Sequence, residues 1–179
     1  KNKKNIEFNK QSLLDSSNGL FSGKSSGKKV LIEFFDYNCT YCKKAHKDIE
    51  KLLKNDPEIK VIYKNFPILS EQSLKLSKIS LLLAEKDHNI FNNFHNSVIE
   101  YKGMIDDEKI KNLLLDLGLD PLKIFNELDK KYLDDAVKKD IELAKALGLK
   151  GTPVFVINDE VIFGYVGYGE LSSKLKVQQ

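Results

Sequence analysis

The sequence predicts an α/β fold: a small sheet whose chain path is interrupted by an inserted all-helical domain. Three observations lead there. Val30 to Phe35, then a helical stretch, then Ile59 to Phe66 read as strand–helix–strand. From Ser70 to Leu147 the apolar spacing is helical throughout. The tail, Val154 to Ile157 and Val161 to Phe163, returns to short β-rich runs around an Asn158-Asp159 turn.

Taken in order, residues 1–16 are polar with scattered Ile6, Phe8, Leu13 and Leu14, and residues 16–29, SSNGLFSGKSSGKK, have linker composition. Residues 1–29 are therefore expected to be a leader. VLIEFF opens the first half of the sheet domain, residues 30–68. In the helix after it, Cys42, Ala45, Ile49, Leu52 and Leu53 share one face and Lys43, Lys47, Lys51 and Lys54 another, with Asn38 the expected N-cap and Asp56-Pro57 the stop. Residues 69–148 carry the helical domain. Phe91, Phe94, Val98 and Tyr101 form one stripe. Asp106 caps the helix of Ile110, Leu113, Leu114 and Leu117. Asp120-Pro121 opens the helix of Leu122, Phe125, Leu128 and Tyr132. The Leu-Gly-Leu triplets at 117–119 and 147–149 resemble an internal repeat, and are more simply two helix ends with Gly past the last turn. Residues 149–179 complete the sheet and add a short helix near Glu170 to Leu175.

Composition excludes several functions. The chain has 179 residues, 41% hydrophobic and 31% charged, with a formal net charge of +3. Its basic residues are all Lys. Without Arg it lacks the forked donor favoured for base edges and phosphates, and no basic stripe stands apart from matching acids, so nucleic acid is not an expected partner. No run of about 18 apolar residues exists to span a membrane. The start, KNKKNIEFNK, has no apolar signal-peptide core, which suits either a cytoplasmic protein or a mature exported form.

The only two cysteines, Cys39 and Cys42, stand in FFDYNCTYCKKAH. Two thiols cannot close a zinc site alone; of His46, His88 and His95, only His46 follows at helical spacing, and a Cys39/Cys42/His46 set still lacks a fourth ligand. As a structural staple the pair closes too small a loop to stabilise much. Redox chemistry uses the spacing better. Cys39 at a helix start meets unpaired N–H groups and the positive dipole end, which favour thiolate. Cys42, one turn deeper, can displace whatever Cys39 captures. Lys43, Lys44 and Lys47 lie nearby, either assisting the thiolate or forming a solvated face.

Thr152-Pro153 opens the strand VFVI, where Pro removes a ladder donor and holds Thr152 extended. Were that bond cis, the Thr152 backbone could pair with an extended substrate. Tyr63, Phe66, Phe155 and Tyr165 either ring such a groove or belong to the core.

FFDYNCTYC, YKNFPIL at 63–69 and GTPVFVI at 151–157 together resemble the DsbA-like family of bacterial thiol–disulfide oxidoreductases, from about Leu14 to Leu175. The resemblance implies a thioredoxin fold with a helical insertion, a cis bond before Pro153, Cys39 as nucleophile and Cys42 as resolving thiol. Glu33 matches the buried acid that the family keeps beneath its active site, exchanging a proton with Cys42; the alternative is an acid neutralised by Lys64 on the next strand. Thr40 and Tyr41, between the cysteines, and Thr152 and Pro153 are the implied substrate contacts. No cofactor beyond the Cys39–Cys42 disulfide and no metal is implied.

Thr40-Tyr41 replaces the Pro-His of the best-known member. Tyr41 donates only through a distant hydroxyl, so the Cys39 pKa is expected below about 8.5 yet above the extreme near 3.5. The potential is expected between about −120 and −270 mV. The leader resembles the ScsC- and DsbG-type subgroup, whose members often oligomerise through an N-terminal helix and sometimes isomerise disulfides. Residues 1–16 would be a stump of that helix, too short to assemble unaided, leaving the chain mainly monomeric. Expected partners are unfolded or misoxidised exported proteins and a membrane redox protein of DsbB or DsbD type, in the periplasm. Thiol-based copper handling and a non-enzymatic peptide-binding module are the alternatives.

Overall fold

The run Leu31 to Phe35 is buried at every position, so the strand that contains it, β2 (Lys29–Phe35), must be covered on both faces. The computed structural model describes residues 1–176 and meets that demand with a five-stranded sheet. Its order is β1 (Phe21–Gly23), β3 (Ile59–Asn65), β2, β4 (Val154–Ile157) and β5 (Glu160–Phe163). β2 runs parallel to β3 and antiparallel to β4; β1 and β5 are antiparallel edges. The parallel step needs a crossover, supplied by α3 (Thr40–Asn55). This α/β architecture is the one expected from the sequence.

Alternation sorts the strand residues. Leu31, Phe35, Val61, Tyr63, Phe155 and Ile157 join the core beneath α3, α4 (Glu71–Lys86), α5 (His88–Glu100) and α9 (Tyr168–Lys176). Ile32, Phe34, Ile62, Val154 and Val156 face the other layer. That layer holds α1 (Asn2–Phe8), α2 (Lys10–Leu14) and the end of α8 (Lys131–Ala146). The helical segment between β3 and β4 thus does more than stand beside the sheet: Leu143, Ala144 and Leu147 seal its second face.

Between α5 and α8 lie α6 (Asp107–Asp116) and α7 (Pro121–Glu127). Asp106 and Asp120 cap them through the amides of Lys109 and Leu122. Gly118 and Gly148 take φ of 75° and 73°. Their amides, and those of Leu119 and Leu149, close paired bonds onto the preceding turn (Gly118 N to Leu115 O and Leu119 N to Leu114 O, each 2.9 Å). The Leu-Gly-Leu repeat is therefore two copies of one helix ending. The stripe expected from Leu122 to Tyr132 is displaced: Ile124 and Leu128 are buried, whereas Leu122 and Tyr132 are exposed, because α7 ends at Glu127 and a new helix restarts the phase.

The leader departs most from expectation. Phe21–Gly23 is a strand rather than free linker, and Ile6 and Leu13 are buried against the sheet's own second face. Lys64 Nζ donates to the carbonyls of Ser12 and Asp15 at 2.9 and 2.7 Å, fastening the end of α2. The apolar residues scattered through 1–16 have partners here, which composition could not reveal. Replacing Leu13 by Ala, at 1% exposure, is expected to lower stability by about 2–5 kcal/mol in denaturant titration. A leader hanging free would leave the midpoint unchanged.

Candidate active site at the start of helix α3

Asp36 builds the turn that presents the cysteines. It is buried, and each carboxylate oxygen is used. Oδ1 accepts from Asn38 N at 2.8 Å and from Ser73 Oγ at 2.7 Å; Oδ2 accepts from Leu69 N at 2.9 Å. One side chain thereby holds the β2–α3 turn to the segment entering α4. Asn38, expected to cap α3, instead donates its side-chain amide to Ser73 Oγ at 3.0 Å. The N-cap is Cys39 itself: it is extended (φ −77°, ψ 117°) and its Sγ accepts from Cys42 N at 3.1 Å. The lead sulfur occupies the place where a capping oxygen normally meets the unpaired amides and the positive helix end.

The two thiols are free and separated by environment. Cys39 is lowered to about 6. A hydrogen bond from the Cys42 thiol contributes most; burial opposes it, and Thr152 and the Cys42 amide add to the lowering. Cys42, 1% exposed, is driven far up, by burial first and then by its bond to Cys39 and the nearby Glu33 charge. One sulfur is thus an anion near neutral pH and its neighbour holds the proton.

Glu33 lies under this pair on the α3 face of the sheet. It is 3% exposed, its Oε2 has no hydrogen-bond partner, and burial, then the Cys39 charge, raises it well above the carboxylate range. The alternative of neutralisation by Lys64 fails on parity. Glu33 is in register with Tyr63, and Lys64 is one residue on, facing α2 and α8, where Asp140 is its foremost charge partner.

The Thr152–Pro153 peptide is cis, and Cys39 Sγ lies 3.5 Å from Thr152 O. Thr40 and Tyr41 stand outside the buried pair, Tyr41 at 59% exposure. Tyr63, Phe66 and Phe155 are buried and belong to the core rather than to a groove. Lys43 is not a solvated residue: its Nζ donates to Val98 O in α5 at 3.0 Å, while Lys44 stacks over Tyr165 at 4.4 Å. A cleft of about 780 Å³ opens beside Cys39, between the start of α3 and the segment after α5, lined by Asn38, Thr40, Leu69, Ile99 and Met104 among others.

The Cys39/Cys42/His46 metal set does not form. Among the described residues, the groups placed to share an ion are His46, Glu50 and Glu100. His88 stacks on Phe21 at 4.2 Å, and His95 Nδ1 meets the Tyr37 hydroxyl at 2.8 Å within an aromatic cluster. Asp36 was not a sequence candidate; an acid two residues before an expected cap, with serines at a helix start more than 30 positions later, was the available signal.

A family model described as "DSBA-like thioredoxin domain" matches residues 30–176. The chain is 27% identical over 164 residues to "Disulfide bond formation protein D" of Bacillus subtilis, covering 86% of this chain and 74% of that protein. The solved structure of the thiol-disulfide exchange protein alpha-DsbA2 from Wolbachia pipientis is 29% identical with a TM-score of 0.89, covering 98% of this chain and 94% of that one. The catalytic domain of Proteus mirabilis ScsC is 28% identical with a TM-score of 0.89, over 98% and 97%.

Proposed function

The chain belongs to the DSBA-like thioredoxin domain family, and from that premise we propose that it oxidises or reshuffles disulfides in exported proteins through Cys39 and Cys42. The observation that carries the proposal is the division of charge within the pair: Cys39 lowered to about 6, at a helix start, against a buried Cys42 held as thiol. In oxidation, a substrate thiolate attacks Cys39 Sγ of the enzyme disulfide and Cys42 leaves as a thiolate, which takes up a proton. A second substrate thiolate then attacks the substrate sulfur of the mixed disulfide and expels Cys39 as thiolate. Two electrons enter the enzyme and a substrate disulfide forms. Reshuffling starts from reduced Cys39 attacking a wrong disulfide, and Cys42 releases any stalled adduct by attacking Cys39.

Glu33 is the group proposed to exchange a proton with Cys42, because it is buried, raised above the carboxylate range and coupled electrically to both sulfurs. As the acid it protonates the Cys42 thiolate that leaves in oxidation, and the carboxylate so formed takes the proton back when Cys42 attacks. Tyr41 and Thr40 present the exposed rim, and the Thr152 backbone beside Cys39 is the stretch to which an extended substrate would pair. The reaction needs no cofactor beyond the dithiol. A membrane redox protein of DsbB or DsbD type would return the pair to its working state in the periplasm, and no helix among the described residues is long and apolar enough to cross a membrane.

Reshuffling of scrambled ribonuclease and oxidation of a reduced dithiol peptide test this directly. Oxidation with a potential between about −120 and −270 mV is the expected result. Activity in neither assay from fully folded, reduced or oxidised protein would sink the proposal.

A further inference from the structure

His46 is a buried residue whose nearest polar neighbours stand beyond good hydrogen-bond distance. Its side chain is 3% exposed, both ring nitrogens lack hydrogen-bond partners, and burial lowers it to about 4, so the ring is neutral at pH 7. Its Nε2 is aimed between two carboxylates, 3.5 Å from Glu50 Oε1 and 3.7 Å from Glu100 Oε1. Both separations exceed a good N–H···O bond. Glu50 and Glu100 face each other with like charge, and one ligand atom from each of the three residues lies within 4.8 Å of the others.

We propose that His46, Glu50 and Glu100 form a zinc-binding site joining helix α3 to the end of α5, with its open coordination position on the cleft beside Cys39. Zinc bonded at roughly 2.0–2.1 Å to N and O ligands in a tetrahedron sets those ligands roughly 3.3 Å apart. The two distances from Nε2 are already within about half an ångström of that. A neutral imidazole with two carboxylates suits zinc over calcium or magnesium, which prefer all-oxygen shells. The cation would also relieve the carboxylate repulsion and satisfy the orphaned Nε2. Because a three-residue set leaves a position free, and His46 and Glu100 both line the cleft, that position would open onto the cleft. The Nδ1–H finds no acceptor, so the site lacks the outer partner that ordinarily raises affinity 10- to 100-fold, and binding is expected to be correspondingly weak.

The site is independent of the redox reading and is tested without it. In the Cys39→Ser/Cys42→Ser variant no thiol can hold the ion. Calorimetric titration of this protein with zinc at pH 7 is expected to give one saturable site per chain, together with a higher thermal midpoint. Glu50→Gln and Glu100→Gln, both at exposed carboxylates and so not expected to disturb folding, should each weaken binding at least tenfold and abolish the thermal gain. Cobalt should give the intense visible absorption of a tetrahedral N/O site, and calcium should not compete. Absence of saturable zinc binding, or binding that both Gln variants leave intact, overturns the proposal.

Discussion

Replacing Cys39 by Ser is expected to bring dithiol oxidation and ribonuclease reshuffling down to the uncatalysed background, whereas Cys42→Ser should still capture substrate and then stall as a mixed disulfide. The two outcomes differ because the fold gives the sulfurs opposite environments. Cys39 caps α3 and is about nine-tenths thiolate at pH 7, given its lowering to about 6. Cys42 is buried and protonated. Alkylation of the reduced protein should therefore modify Cys39 alone, with a half-maximal rate near pH 6. The same shift has a stability consequence. The folded pKa is depressed below the unfolded value of about 9, so its contribution is fully present above pH 9 and is lost as pH falls through 6. At pH 7 it stabilises the reduced form by about 1 kcal/mol. Equal alkylation of both cysteines, or a midpoint above pH 8, would contradict this assignment.

Glu33→Gln should make the protein more stable and a slower enzyme. The acid is raised by burial well above its ordinary 4.5, so between the two values it is protonated in the fold and ionised in the unfolded chain. The sign follows: its contribution is most favourable below pH 4.5 and is lost as pH climbs from there to the folded value. Each unit in that interval costs about 1.4 kcal/mol, and the Gln variant escapes the cost. Denaturation across pH 5 to 8 should show the difference between variant and parent widening with pH. Activity should move the other way. With no group left to exchange a proton with Cys42, release of mixed disulfides should slow while the initial attack by Cys39 is nearly unchanged. If the variant matched its parent in both the pH slope of stability and the rate of release, Glu33 would be only a packed side chain.

Much of this arrangement was legible in local pattern. β2, β3 and β4 follow from local apolar runs, and the caps at Asp106 and Asp120 and the glycine ends at Gly118 and Gly148 from contacts spanning at most a few residues. The leader was not legible, since the partners of Ile6 and Leu13 lie on strands and a helix far along the chain. Nor was Asp36, whose use depends on Leu69 and Ser73 arriving beside it.

What the residue order alone determined was the presence of a dithiol at the start of a crossover helix, because strand period, helix period and the Cys-x-x-Cys spacing are short-range properties. Tertiary structure alone decided that Cys39, not Asn38, caps that helix, that Glu33 faces the sulfurs while Lys64 faces away, and that His46 meets Glu50 and Glu100 instead of the cysteines. Those outcomes depend on sheet parity and on which distant segments close over a face, and neither leaves a mark in the neighbouring letters.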